Sequence, residues 1–318
     1  MSQVSENPFK MSDTNKRYYT YDYFLKTIFG EKCAKITLDC GFTCPNIDGT
    51  RSYGGCIYCS GGSASRNTKG LSSILEQYEN GKSAVLKKWQ VKKFIPYLQA
   101  YTNSYTSTEN FINILEQVSK FDGACMIDIA TRADCLENEK LEYLNSLSKR
   151  IPIILELGLQ TSNDKTAELI NRAHTFAEFT DCFERVRRLA PSVKIGVHII
   201  NGLPSESYSD MMKTAEDVAD LKPDILKIHL LHVIKGTKLA QMYETGFYTP
   251  LTLEQYVRIT CDQIEIMPSN MVIERVTGDG ERDSLLAPLW SLKKVAVINE
   301  IDKELFKRCS YQGIFSKK

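Results

Sequence analysis

Six short apolar runs rich in β-branched residues recur along this chain, and segments of helical periodicity separate them. The runs are 34–39 (AKITLD), 93–99 (KFIPYLQ), 125–131 (CMIDIAT), 153–160 (IILELGLQ), 194–201 (KIGVHIIN) and 225–233 (ILKIHLLHV). Parallel strands need a long crossover between them, so this alternation predicts repeated βα units and a parallel sheet. The intervening segments 71–90, 108–121, 137–149, 163–190 and 207–221 carry apolar residues at helical spacing, with start signals at Ser107-Thr108 and Asn163-Asp164. Six strands fit either a barrel or an open doubly wound sheet. After Gly236 the pattern changes to a helix near 252–267, a strand at 271–276 (MVIERV), a Gly-Asp-Gly turn at 278–280 and a helical stretch at 291–308. The organisation expected is one catalytic domain: an N-terminal segment, 1–30, packed on the barrel, a βα barrel over 31–250, and a C-terminal extension, 251–318, closing it.

Charge adds a constraint on partners. Forty Lys+Arg against 39 Asp+Glu leave a formal net charge of +1, so no global field draws in nucleic acid and any such contact must be local. The longest apolar segments, 151–159 and 225–234, are strand-length and interrupted by charge or His, short of the roughly 20 apolar residues of a membrane span. The first residues lack a secretory signal, so a cytoplasmic protein without a membrane partner is expected. In a reducing compartment its ten cysteines should be thiols or metal ligands.

Cys40, Cys44, Cys56 and Cys59 fall together in DCGFTCPNIDGTRSYGGCIYC, directly after the first run. Loops at the C-terminal ends of parallel strands are where α/β folds place their chemistry. Two metal readings are open. All four thiolates would close a tetrahedral zinc site. Alternatively Cys44, Cys56 and Cys59, spaced C-x11-C-x2-C, would hold three irons of a 4Fe-4S cluster and leave the fourth iron able to chelate a small molecule. Buried unligated thiols are the plainer reading, but Cys is rarely so clustered. The scattered Cys125, Cys135, Cys182, Cys261 and Cys309 read as buried thiols.

Cys44-Pro45-Asn46, Asp48-Gly49-Thr50 and Gly54-Gly55-Cys56-Ile57-Tyr58-Cys59 together resemble the signature of the radical S-adenosylmethionine (SAM) enzymes. More narrowly they are similar to the branch related to the Elongator catalytic subunit, and within it to a bacterial subfamily, the MnmL/YtqA type. The resemblance runs over almost the whole chain, through 99–106 (QAYTNSYT), 129–135 (IATRADC), 155–161 (LELGLQT), 170–174 (INRAH), 198–206 (HIINGLPSE), 227–237 (KIHLLHVIKGT) and 275–279 (RVTGD). It implies an α/β fold, a partial or near-complete radical-SAM βα barrel with a C-terminal helical extension. It also implies a 4Fe-4S cluster held by Cys44, Cys56 and Cys59, with SAM as second cofactor and flavodoxin or ferredoxin as electron donor. In the family the methionine part of SAM chelates the open iron, and one-electron reduction cleaves the sulfonium to a 5'-deoxyadenosyl radical, so the cofactor performs the hard chemistry. Elongator relatives act on the wobble uridine of tRNA, and the subfamily is linked to maturation of that uridine's side chain. The function implied is removal or remodelling of a carboxymethylaminomethyl-type substituent, begun by hydrogen abstraction next to the amine, with tRNA as partner. A radical enzyme of porphyrin or sulfur metabolism is the first alternative. A non-catalytic, zinc-bearing RNA-binding module is the second.

The same resemblance nominates SAM-binding residues. Gln160, ending its strand, and Arg172, on the following helix, pair as in coproporphyrinogen-oxidase-like members, and Arg suits a carboxylate through its two parallel hydrogen bonds. Gly202 in Gly-Leu-Pro permits the close backbone approach that adenine recognition needs, although Gly and Pro also mark ordinary turns. Tyr58 stands where an aromatic packs near the adenine; core packing is its plainer reading. Gln99, Thr102 and Asn103 offer acceptors for the cofactor ammonium, as any polar loop would. His198 occupies a position where some relatives have an acidic ribose ligand. His229 and His232, three apart on an expected strand, should point to opposite faces and not share a metal. Arg132 and Asp134, in TRAD where the family has TRPD, either pair with each other or face the substrate. The lysines of 82–93 around Trp89 read as a solvated helix face or a phosphate-binding patch, and Tyr18, Tyr19, Tyr21 and Tyr23 as packing or base-stacking groups.

Overall fold

The computed structural model describes residues 7–60, 73–278, 280 and 282–317. Each of the six apolar runs forms a strand: β1 Cys33–Leu38, β2 Lys93–Leu98, β3 Ile127–Thr131, β4 Ile153–Gln160, β5 Lys194–Asn201 and β6 Ile225–Leu230. They continue into the two-residue β7 (Val233–Ile234), then β8 (Val272–Arg275) and β9 (Leu285–Ala287). A seven-stranded parallel sheet runs β1-β2-β3-β4-β5-β6-β8, so its last strand comes from the C-terminal extension. The order never returns from β8 to β1, which makes this an open barrel. Its β8 edge is covered by the segment before the first helix: Ile273 N donates to Tyr19 O (2.7 Å), and Thr20 bridges Ile273 in parallel. Pairing one edge in this way removes a template for unwanted strand addition. β7 and β9 form a separate antiparallel pair.

Helices α1 (Tyr21–Phe29), α2 (Ile74–Leu86), α3 (Thr108–Val118), α4 (Asn138–Leu147), α5 (Asp164–Leu169), α6 (Phe176–Leu189) and α7 (Tyr208–Leu221) connect or flank the strands. α8 (Lys238–Glu244), α9 (Leu253–Ile266) and α10 (Lys294–Lys307) follow. Ser107 caps α3 and the Thr175–Glu178 box opens α6, satisfying backbone N–H groups that no helix turn can reach. The expected single helix over 163–190 is two, α5 and α6. Asn171 and Ala173 between them adopt left-handed backbone angles (φ 56° and 59°) that no helix continues through, so Arg172 lies on a loop and not on a helix. The helix over 71–90 is described from Ile74 and stops at Leu86, and the last helix starts at Lys294 after a 3-10 turn at 289–292. Of the Gly-Asp-Gly turn, Asp279 lies outside the described residues.

Strand side chains alternate, so every second residue of each strand points into the barrel. The result is a stack of layers. The layer at the N-terminal end is apolar, with Cys33, Ile95, Met126, Ile154, Ile225 and Val272, and Phe9, Tyr19, Phe24 and Leu25 plug it from the N-terminal segment. Tyr18 belongs to the larger core between sheet and helices, so these tyrosines pack and do not form a free stacking surface. Two residues further along the strands the layer is charged: Lys35, Tyr97, Asp128, Glu156, Lys227 and Glu274, with His198 from β5. Above it, toward the C-terminal ends, lies a cavity.

Candidate functional site

That cavity, of about 340 Å³, is walled by Cys44, Cys56 and Cys59 on one side and floored by Tyr97, Glu156, His198, Lys227 and His229. Tyr58, Gln99, Thr102, Gln160, Arg132 and Arg172 also face it. Most of the residues nominated from the sequence therefore converge on one place. Asn103 and Gly202 are not among those lining it. Fully buried, the Asn103 amide donates to the carbonyls of Leu98, Ala100 and Ala130 (3.1, 3.1 and 2.9 Å), so it braces the turn after β2. Gly202, at φ 87°, offers its carbonyl to the Tyr248 hydroxyl (2.8 Å), and a Cβ there would press on Leu251.

The cysteine loop is held in shape by its neighbours. Buried Asn46 donates to the carbonyls of Asn171 (2.7 Å) and Arg172 (3.0 Å) and lies 3.6 Å from the Cys56 sulfur. Asn171 returns the contact through its amide to the carbonyls of Tyr53 and Gly55 (3.0 and 2.8 Å). Ile57 ties the loop to Ile170 and α8 through main-chain bonds of 3.1 and 2.9 Å. Side chains thus replace a regular element as the support of an irregular loop.

Cys40 stands apart from the other three. It packs against the main core and is not among the residues lining the cavity, as Cys44, Cys56 and Cys59 are. A hydrogen bond with Cys59, helped against the cost of burial by the positive Arg172 and Arg132, brings Cys56 down to about 5. Among the described residues, three ligating side chains come within 4.8 Å of one another only at Asp128, Glu156 and Glu274. The cavity gathers three of the four loop cysteines, without the fourth thiolate that a closed tetrahedral zinc site would use.

Arg172 is buried, its guanidinium reaches the Gly158 carbonyl, and its Nε has no hydrogen-bond partner. Such an orphaned donor, facing a cavity, is what a ligand acceptor would satisfy. Gly158 makes the space for it: a Cβ there would stand 2.7 Å from the Gln160 amide nitrogen and 3.0 Å from the Arg172 guanidinium. A bulge between Gly158 and Gln160, with Gln160 at φ 76°, turns the amide back toward the same spot. His174 lies below Arg172, 3.3 Å from the Gly158 carbonyl, and burial and the two arginines hold it neutral, down to about 3. Arg132 and Asp134 pair with each other in a two-pronged contact (2.9 and 2.8 Å), and Arg132 also donates to the Arg172 carbonyl (2.9 Å).

The floor is the charged layer. Both Glu156 oxygens are occupied, Oε1 by Lys35 (3.1 Å) and Lys227, Oε2 by Tyr97 (2.7 Å) and His198 (2.8 Å). Lys227 also meets Glu274 (3.0 Å). Burial raises a carboxyl, but Lys227, Lys35 and His198 together hold Glu156 well below its usual range, while burial and Glu156 push Asp128 up. His198 stacks on His229 with ring centroids 5.3 Å apart. β6 ends at Leu230, so strand alternation does not extend to His232; His229 and His232 both lie against Gly278 instead of facing apart.

The basic patch lies elsewhere. Lys82 pairs with Asp122 (2.5 Å), Lys93 with the Phe29 carbonyl (2.8 Å) and Glu31 (3.4 Å), and Lys32 sits over the Trp89 ring (4.2 Å). Lys93 begins β2 whereas Gln99, just beyond its end, faces the cavity, so the patch is at the opposite end of the barrel.

Comparison with known proteins agrees with this geometry. Residues 49–218 match the Radical SAM superfamily and 223–307 the Radical_SAM C-terminal domain. The chain belongs to the radical SAM superfamily. YtqA of Bacillus subtilis is 42% identical over 98% of this chain and 97% of its own length, and YhcC of Escherichia coli is 33% identical over 87% and 88%. The Elp3 structure from Methanocaldococcus infernus superposes with a TM-score of 0.65 at 18% identity, covering 88% of this chain and 64% of that one, and so shares the fold. The tRNA uridine(34) acetyltransferase of Methanocaldococcus jannaschii is 32% identical over 48% of this chain and 28% of its own length. As a radical SAM enzyme the chain uses a 4Fe-4S cluster and SAM, which supply a carbon-centred radical for hydrogen abstraction when bound. The residues present fit both cofactors: three thiols around one cavity, an unpartnered buried guanidine nitrogen, and a glycine whose Cβ would fill the space beside it. Among the described residues no helix is long and apolar enough to cross a membrane.

Sequence reasoning missed two groups. Asn46 and Asn171, which stitch the cysteine loop to the Arg172 loop, lie inside the quoted motifs but received no role. The charged layer is signalled by ionisable residues inside apolar strands, such as Lys35, Glu156, Lys227 and Glu274.

Proposed function

We propose that this radical SAM enzyme modifies the side chain of the wobble uridine of tRNA, acting on a carboxymethylaminomethyl-type substituent, as a member of the MnmL/YtqA-type subfamily. Cys44, Cys56 and Cys59 hold the cluster, Arg172 and Gln160 orient the methionine end of SAM, and Tyr58, Gln99 and Thr102 line the remainder of its site. The observation that carries the substrate is the similarity to tRNA uridine(34) acetyltransferases, 32% identical over the segment shared with the Methanocaldococcus jannaschii protein. Hydrogen removal from the carbon beside the substituent's amine begins the reaction, and a flavodoxin or ferredoxin supplies the electron that starts SAM cleavage.

The test is anaerobic incubation of the reconstituted enzyme with SAM, dithionite and tRNA carrying carboxymethylaminomethyluridine, followed by nucleoside mass spectrometry. The expected result is 5'-deoxyadenosine whose formation depends on the tRNA, with conversion of that nucleoside. Equal 5'-deoxyadenosine with and without tRNA, and an unchanged nucleoside pool, would refute it.

A further inference from the structure

The ninth of the eleven residues between Cys44 and Cys56, Tyr53, is 77% exposed, second only to Phe247 among the described large hydrophobic side chains. Yet it is not a loose loop tip. Its ring lies against Gly49, where a Cβ would overlap the ring, and Gly49 itself sits at φ 92°, a conformation few other residues adopt. Asp48 and Tyr53 form an antiparallel bridge, and the Tyr53 carbonyl accepts from Asn171 (3.0 Å). Asp48 in turn caps the Thr50 N–H (3.0 Å), and Thr50 meets the Tyr105 hydroxyl (2.6 Å). The loop is therefore shaped to hold one aromatic ring against its own backbone with most of its surface in water. Burial gains nothing from this, since apolar area left in solvent contributes no stabilisation. Ile47, 37% exposed on the same loop, lines the cavity, so the strip leads to the mouth.

We propose that Tyr53 is a stacking platform for an RNA base adjacent to the nucleotide presented to the cavity. A flat ring fixed beforehand by Gly49 loses little freedom when a base lies on it, and base–aromatic stacking tolerates any base because each has a π face. The lysines around Trp89 are at the other end of the barrel, so that patch does not serve this mouth. This inference rests on the RNA reading above.

The experiment compares wild type, Tyr53→Phe and Tyr53→Ala as cluster-loaded proteins, binding a fluorescently labelled anticodon stem–loop RNA, with iron and sulfide content as the folding control. Tyr53→Phe should bind as wild type does. Tyr53→Ala should bind about tenfold more weakly, the loss of one stacked base. A Tyr53→Trp variant adds a direct readout: its additional emission should be quenched when the stem–loop is added. If wild type binds the stem–loop and Tyr53→Ala binds it equally well, with no quenching in Tyr53→Trp, the platform is refuted and the RNA reading stands. If wild type binds no stem–loop, the RNA reading fails and the platform falls with it.

Discussion

The wall and the floor of the cavity are built on opposite principles. The wall is an irregular loop whose cysteines are supported by neutral amide-to-carbonyl bonds from Asn46 and Asn171. The floor is made of regular strands whose charged side chains support one another, with Glu156 at the centre of two lysines, a tyrosine and a histidine. A loop that must receive a cluster needs its thiols turned to the cavity, so neutral groups fix its backbone, and Asn46 also reaches the Cys56 sulfur (3.6 Å). A barrel interior of this depth cannot leave charges unpaired, because an isolated buried ion costs several kcal/mol. The wall is thus specialised for chemistry and the floor for holding the barrel open beneath it.

Perturbing each side should separate the two roles. Cys56→Ala has the largest expected effect, loss of the cluster and of all SAM cleavage, with a chain that still unfolds cooperatively in urea. Glu156→Gln should do the reverse: it leaves Lys227 and Lys35 short of a counter-charge and costs about 3–5 kcal/mol of stability, read from the urea midpoint. The pH dependence fixes the cause. Because the folded Glu156 carboxyl lies well below its ordinary value, its contribution is fully present above about pH 4.5 and is lost as pH falls through the folded value. The gap between wild type and Glu156→Gln should therefore close on acidification, whereas a pure packing defect would keep it constant. Asn46→Ala removes two buried hydrogen bonds and should cost about 1–3 kcal/mol, together with faster loss of iron on dilution. Gly158→Ala should weaken SAM binding about tenfold or more in equilibrium dialysis by pushing Arg172 and Gln160 aside. Least of all, Lys87→Ala with Lys88→Ala, on the far end of the barrel, should leave tRNA-dependent SAM cleavage within about twofold of wild type. A large loss there would mean that RNA approaches from the opposite end.

How much was legible follows the same division. The three cysteines are close in sequence, so their spacing and place after β1 disclosed the wall. Gln160 and Arg172 were also reachable, but the split of 163–190 was not, because left-handed angles at Asn171 and Ala173 depend on the tertiary contacts that Asn171 makes with the cysteine loop. Asn103 and Gly202 lie at strand ends as expected but outside the lining of the cavity, where the Asn103 amide donates to turn carbonyls and Gly202 accepts from Tyr248. His229 and His232 were misjudged because the strand was expected to run to 233, three residues past its actual end at Leu230. The floor was not legible as a network. Lys35, Asp128, Glu156 and Lys227 each stand among apolar neighbours in their strand, but which of them meet depends on register between strands far apart in sequence.

The central claim is that Cys44, Cys56 and Cys59, without Cys40, hold a cluster that binds SAM. Anaerobic reconstitution with iron and sulfide, followed by EPR of the reduced protein with and without SAM, tests it most directly when wild type, Cys40→Ala and Cys44→Ala are compared. The account predicts a 4Fe-4S signal that SAM shifts in wild type and Cys40→Ala alike, and no such signal in Cys44→Ala. A colourless protein holding one zinc, lost equally in Cys40→Ala and Cys44→Ala, would contradict it.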